Sequence, residues 1–314
     1  MTPSKNPKEQ KGIYASLTEL VALQHKARGF SFLPRQPIHS LLSGRHASRL
    51  RGRGLNFEEI RRYLPGDDVR QIDWKVTVRT RKTHSRVYTE ERERCVLLVV
   101  DQRMSMFFGS RRNMKSVTCA EAAALGAWRV LEQKDRIGAI VFNDTRVDEI
   151  RPHRSQARVL QILRVILEHN HALSIRTGIV PAPAMLNEAL RRAARLATHD
   201  YLVCILTDGS GSDAETERIV TRLAAHNDIL IGFIYDPLEA DLPDAGPLVL
   251  SDGKRQMEVD TSDRTLRTAF RDNFAEKRAM ARKFLLGREA PVLPLSTEEG
   301  VAEQMRRHLG GMLR

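Results

Sequence analysis

The residues best equipped for chemistry stand where apolar runs end. "CVLLVVD" closes on Asp101 and "YLVCILTD" closes on Asp208. Ser105 follows Asp101 within "DQRMSMFFGS", and Thr177 stands in "SIRTGIV". Asp101, Ser105, Thr177 and Asp208 are all oxygen donors, a set that suits a hard cation such as Mg²⁺ or Mn²⁺; Mg²⁺ takes near-octahedral oxygens at about 2.0–2.1 Å. One position breaks the pattern. A metal loop of this kind would place hydroxyls two and four residues after the acid, and Arg103 occupies the first of those places. A guanidinium about 4 Å from a metal, at an effective dielectric near 20, repels each unit of ion charge by roughly 4 kcal/mol. Two arrangements avoid that repulsion: the side chain points outward, or it lies between Asp101 and Asp208 as a built-in cation. Plainer roles exist for each acid and hydroxyl. Asp101 can cap its loop, Thr177 can cap the helix that follows, and Asp213 can cap or charge a helix start.

The elements that must position these residues follow from hydrophobic period. Apolar runs at 95–101, 136–144, 201–208 and 228–237 read as buried strands, and "APVLPLST" as a last one. "VDEIRPH" reads as an edge strand ended by Pro152, and "QMEVD" as a short strand. Between them the spacing predicts helices over 112–133, 154–169, 183–197, 212–226, 262–286 and 298–309. Strands alternating with amphipathic helices imply a doubly wound, mostly parallel sheet covered on both faces, with its ligand site beyond the carboxyl ends of the strands. Ahead of it, 14–28 has near-helical spacing and 34–56 reads as an extended basic loop. "QIDWKVTVRT" and "HSRVYTEE" alternate like short strands of a small β-containing extension. "LPGDD" suits a type II turn with Gly66 at positive φ, after which Asp67 and Asp68 bond nearby backbone. Trp74 is expected to be a packing anchor. Arg70, Asp73 and Lys75 are expected to form an ion-pair lattice. The organisation expected is a disordered tail over 1–12, a basic extension over 13–94 and the main domain over 95–314.

Composition narrows the function classes. In 314 residues, 41% are hydrophobic and 29% charged, and no apolar run reaches the roughly 18–20 residues of a membrane span. The N-terminus is polar and lacks a signal-peptide segment, so a cytoplasmic location is the expectation. Cys95, Cys119 and Cys204 form no CxxC pair and read as reduced packing residues. The net charge of +12 is uneven: residues 1–94 hold 20 Lys and Arg against 10 Asp and Glu, whereas the remainder holds 31 against 29. Such a basic third could meet nucleic acid, yet aromatics are only 5% and the arginines after it are interleaved with glutamates. No GxSxG, HExxH or Walker A motif is present, and no histidine is spaced for a triad. Two acids and a metal could still serve phosphoryl transfer, which is kept as an alternative.

Two resemblances sharpen this. The strand with Asp101 and Ser105, then Thr177, then "TDG…D" (Thr207, Asp208, Gly209, Asp213), resembles a von Willebrand factor A domain, whose metal-ion-dependent adhesion site has the form DxSxS, a Thr and an Asp. Upstream, "GRGLNFEEIRRYLPGDDVRQIDWKVTVRTRK" is similar to the signature of the "domain of unknown function 58" family. Its carriers are Gly54, Phe57, Arg61, Tyr63, Pro65, Gly66, Asp67, Arg70, Asp73, Trp74, Lys75 and Arg79, with Asp68 beside them. The resemblance spans residues 45 to 300. It implies an A-type α/β domain that acts beside a MoxR-type AAA+ ATPase as a non-catalytic, protein-binding adaptor for an unidentified client. The adhesion site is the implied contact, with Mg²⁺ or Mn²⁺ as the only cofactor and Arg103 as its departure. Nucleic-acid binding through the basic third is the other alternative.

Overall fold

The computed structural model describes residues 12–30, 55–90, 93–174, 178–251, 256–283 and 291–310. The tail over 1–12, and the extended loop up to residue 54, therefore lie almost wholly outside the described residues. The chain divides differently from the expected 13–94 extension. The residues preceding 39 join everything from Arg94 onward in a large unit, and His39–Glu93 forms a small one.

The large unit begins with α1 (Leu17–Ala22), capped by the Ser16 hydroxyl, which accepts from the Glu19 N–H. In the small unit, β1 (Leu55–Arg62) is followed by α2 (Trp74–Thr80) and by β2 (His84–Glu90), which pairs antiparallel with β1. The helix corrects the strand expected for "QIDWKVTVRT". Valine and threonine alternation favours a strand, but Asp73 caps the first turn, its carboxylate accepting the Val76 N–H at 3.1 Å. Arg81 closes the helix at φ 53°. Trp74 is 66% exposed and anchors no core, a second correction. Asp73 pairs with Arg86, not with Arg70 or Lys75, so the expected lattice is replaced by a pair inside this unit. The "LPGDD" turn forms as expected. Gly66 has φ 106°, Asp67 donates to the Leu64 carbonyl, and the Asp67 carboxylate takes the Leu64 N–H and the Arg61 guanidinium.

The main sheet is built from six further strands. They are β3 (Cys95–Asp101), β4 (Arg136–Phe142), β5 (Val147–His153), β6 (Tyr201–Thr207), β7 (Asp228–Tyr235) and β10 (Val292–Ser296). Their order is β10-β7-β6-β3-β4-β5, parallel except for antiparallel β5 at one edge. β3, β4, β6 and β7 are almost wholly buried, as continuous apolar runs demand when both faces are covered. β5 alternates instead and carries Pro152, as its edge place permits. Beside it Gly138 is obligatory, since a Cβ there would lie 2.6 Å from the Ile150 carbonyl oxygen.

Alternate residues of β3 face opposite layers. Val96, Leu98 and Val100 pack with α3 (Lys115–Glu132), α4 (Gln156–Ala172), α9 (Val301–Leu309) and α1. Leu97 and Val99 pack with α5 (Met185–Leu196) and α6 (Ala214–Ala224). Alanines at 120, 123, 124 and 127 let α3 lie close to the sheet. α1 is bound to it by Leu20, 1% exposed, and by a hydrogen bond from Trp128 Nε1 to the Leu20 carbonyl at 3.0 Å. After β7 come the short α7 (Pro237–Ala240), a two-stranded ribbon of β8 (Pro247–Ser251) and β9 (Gln256–Asp260), and the long basic α8 (Arg264–Lys283). The ribbon's first strand and α7 had no clear period in the sequence. Among the described residues no helix is long and apolar enough to cross a membrane. The three cysteines are unpaired, and burial pushes the Cys204 thiol up to about 12.

Candidate functional site

Parallel registration brings the acids together. β3 and β6 are neighbours with Val100 opposite Leu206, so Asp101 meets Thr207 and the Asp208 loop at the carboxyl edge. β3 leads into α3 on one face, whereas β6 leads into α6 on the other. Divergence of two adjacent connections opens a crevice, the usual ligand place in an open α/β sheet.

Arg103 does not point outward. It is 2% exposed, and its guanidinium grips Asp101 as a fork, with Nε 3.0 Å from Oδ1 and Nη2 2.7 Å from Oδ2. The Arg103 backbone N–H donates to the same carboxylate at 3.0 Å. Nη1 then donates to the Pro183 carbonyl at 3.2 Å, and Nη2 to the Ser210 carbonyl at 2.9 Å. The Phe142 ring lies beneath, 5.4 Å from the guanidinium carbon. Thr207 Oγ1 completes the Asp101 shell at 2.7 Å.

Asp208 has its own cation. Lys115 Nζ lies 2.9 Å from Asp208 Oδ2 and 2.7 Å from Glu239 Oε1. Lys115 is also 2% exposed, and it is the first residue of α3. An ammonium at the positive end of a helix is misplaced by the dipole, and the two carboxylates are what hold it there. The Ser210 N–H donates to Asp208 Oδ1 at 2.9 Å, and Ser105 Oγ reaches that atom only at 3.5 Å. Asp144, just beyond β4, ties two loops by accepting the Met104 N–H at 2.6 Å and the Ala182 N–H at 2.8 Å.

These pairs decide the charge states. Burial by itself would drive Arg103 towards losing its proton, but the Asp101 charge and hydrogen bonds, helped by Asp208 and Asp144, hold it above its ordinary value. Burial acts likewise on Lys115, and Asp208 and Glu239 raise it overall. Burial opposes ionisation of Asp208, yet Lys115, the Ser210 N–H and Arg103 keep that carboxyl below the usual range.

Asp101, Ser105 and Asp208 do converge, and Thr177 lies outside the described residues. The donor set does not fit Mg²⁺ or Mn²⁺. Both Asp101 oxygens already accept from Arg103, and Oδ2 also accepts from Thr207, so little lone-pair capacity is left for a metal. The other strand-end acid, Asp208, is likewise engaged by the buried Lys115 ammonium. Among the described residues no group of three His, Cys, Asp or Glu side chains is placed to hold an ion.

Lys115, Glu239, Asp144 and the hydroxyl of Thr207 were not singled out as site residues by spacing. Lys115 falls within the helix expected over 112–133, but away from its apolar face, so spacing gave no sign of a buried role. Asp236 is a further strand-end acid. It takes Ser110 Oγ and Thr297 Oγ1, each at 2.6 Å, and caps α7. Asp213 caps α6 in a reciprocal box with Thr216, as expected.

The strand order and the single antiparallel edge define a doubly wound, mostly parallel α/β domain with acids at the carboxyl edge of its sheet. The chain belongs to the family described as protein of unknown function DUF58, which matches residues 59–280. Uncharacterized proteins of Mycobacterium tuberculosis and Mycobacterium bovis are each 31% identical over 265 residues, covering 84% of this chain and 81% of theirs. Among solved structures, the conserved hypothetical protein BatB from Bacteroides thetaiotaomicron is similar with a TM-score of 0.41 and 13% identity, over 70% of this chain and 98% of that one. The SpRpn10 VWA domain is similar with a TM-score of 0.34 and 12% identity, over 68% of this chain and 94% of that one.

Proposed function

We propose that the chain is a non-catalytic, cytoplasmic adaptor that binds another protein at this crevice, with a MoxR-type AAA+ ATPase as the partner that the family resemblance suggests. The observation that supports binding is the rim. Phe108 in the first loop is 39% exposed, its ring centre 6.0 Å from the Lys115 ammonium, and Val180 in the second is 77% exposed, two residues before the Ala182 N–H that Asp144 accepts. Exposed apolar surface gains by being covered, and an aromatic such as Phe108 is the kind of residue enriched in the core of a protein interface. Both cations beneath the rim are engaged, so Arg103 is not the group that a partner's acid would meet.

The test is calorimetric titration of the full chain with a purified MoxR-type AAA+ ATPase from the same organism. Burying one such side chain is worth about 1.5–3 kcal/mol, so Phe108→Ser with Val180→Ser should weaken binding at least tenfold and leave the melting temperature unchanged. Equal binding by the variant would remove the crevice from the interface. No binding by the wild type would remove this partner.

The small unit supports a second reading. Exposed Trp74 lies in a stretch with exposed Arg70, Lys75, Arg79, Arg81 and Lys82, and an aromatic among cations suits a nucleic-acid strand. Binding that falls steeply with salt and is lost in Trp74→Ala would favour it.

A further inference from the structure

We propose that the Arg103 guanidinium and the Lys115 ammonium together take the place of a divalent ion, so that the crevice is assembled by side chains alone and needs no metal. The inference goes beyond the protein-binding reading and stands without it.

Three observations carry it. The first is connectivity. An ion at an acid-and-hydroxyl site holds several loops by accepting an oxygen from each. The guanidinium does this with donors: it holds Asp101 at the start of the first loop, Pro183 in the second and Ser210 in the third. The second is charge. Two unit cations, one on each strand-end acid, supply the charge of one divalent ion, and each lies within 3.0 Å of a carboxylate oxygen. The third is burial. Both side chains are 2% exposed, and burial of a full charge is sustained only where partners surround it. An outward rotamer, the arrangement that would leave the acids free for an ion, would trade these contacts for solvent.

The planar fork explains why an arginine can do this and a lysine at the same place could not. Its nitrogens diverge in one plane, so one group reaches a carboxylate and two carbonyls on separate loops. Lys115 is a point charge and serves the neighbouring pair, Asp208 and Glu239. The loops are therefore fixed when the chain folds, with nothing to gain or lose from the ions in solution.

If the side chains replace an ion, an ion should be able to replace the side chains. The experiment is Mn²⁺ titration by calorimetry, with thermal unfolding in Mn²⁺ and in EDTA at matched ionic strength, on the full chain. The wild type should show no saturable Mn²⁺ binding and the same melting temperature in both. Arg103→Ser with Lys115→Met should melt lower in EDTA, bind one equivalent of Mn²⁺ and recover part of the lost melting temperature when it does. Arg103→Lys should melt lower than wild type and bind no Mn²⁺. If the double variant does not fold, Arg103→Ser alone decides: recovery of its melting temperature by Mn²⁺ or by dilute guanidinium, but not by Na⁺, supports the proposal, and no recovery by either overturns it. Saturable Mn²⁺ binding by the wild type that is lost in Asp208→Asn would overturn it outright. So would a folded double variant indifferent to Mn²⁺.

Discussion

Asp208 and Lys115 show how unequal the two halves of a buried pair can be. Removing Lys115 leaves Asp208 and Glu239 side by side with their shared cation gone. Loss of one partner of a buried pair costs about 3–5 kcal/mol. Removing the charge of Asp208 instead leaves Lys115 with Glu239 at 2.7 Å, so Asp208→Asn should cost nearer the about 1–3 kcal/mol of an impaired buried hydrogen bond. Urea unfolding of Lys115→Met and Asp208→Asn should therefore rank them in that order, and the reverse order would mean that Glu239 does not hold the ammonium. The acid limb gives a second readout. Burial opposes ionisation of Asp208, Lys115 and the Ser210 N–H outweigh it, and the folded carboxyl is held below 3.8. A depressed carboxyl contributes stability that is complete above its unfolded value and is lost as pH falls through the folded one. In Lys115→Met the opposing burial is left less balanced, so acid unfolding should begin at higher pH than in the wild type.

At the scale of elements, α4 and β5 are joined by a titratable pair of another kind. His169 on α4 is 0% exposed, its Nε2 lies 2.6 Å from Asp148 on β5, and its Nδ1 has no hydrogen-bond partner. A second proton on that ring would create a buried donor with nothing to accept it. Burial accordingly lowers its pKa from 6.5, with Asp148 acting in the opposite sense and too weakly to reverse it. The unfolded chain takes up the proton first as pH falls, so stability is complete above about 6.5 and declines below it. Melting temperatures between pH 7.5 and pH 5, roughly the span over which an ordinary histidine titrates, should fall in the wild type and fall less in His169→Asn. Parallel slopes for the two proteins would show that His169 is not the group responsible.

For the whole molecule, the division into units is not the division that charge suggests. The basic character of residues 1–94 marks a single N-terminal segment, but 12–30 belongs to the core of the large unit. Leu20, Ala27 and Phe30 are all 2% exposed or less. Leu20→Ala should then behave as a core truncation and cost about 2–5 kcal/mol. Trp74→Ala, at a side chain 66% exposed, should stay within about 0.5 kcal/mol of wild type despite the larger deletion. Urea midpoints of the two variants decide the matter. A larger loss from the tryptophan would return it to the packing role that its size alone suggests.

The sequence by itself determined the sheet and the acids at its edge. Buried parallel strands must be continuous apolar runs, and such runs can be read one strand at a time, as can the Gly66 turn and the Asp213 cap, because their partners lie within a few residues. It also determined that Arg103 interrupts a metal pattern, since that is a matter of spacing. It did not determine α2, where one cap hydrogen bond from Asp73 outweighs the strand preference of valine and threonine. Nor could it assign the cations. Lys115 is 93 positions from Asp208 and Glu239 is 124 positions from Lys115, and they meet only because α3, the β6 loop and α7 converge at one edge. Only the tertiary structure decided which way Arg103 points: the Pro183 and Ser210 carbonyls, on loops far apart in the chain, complete a shell that makes the buried rotamer the better one.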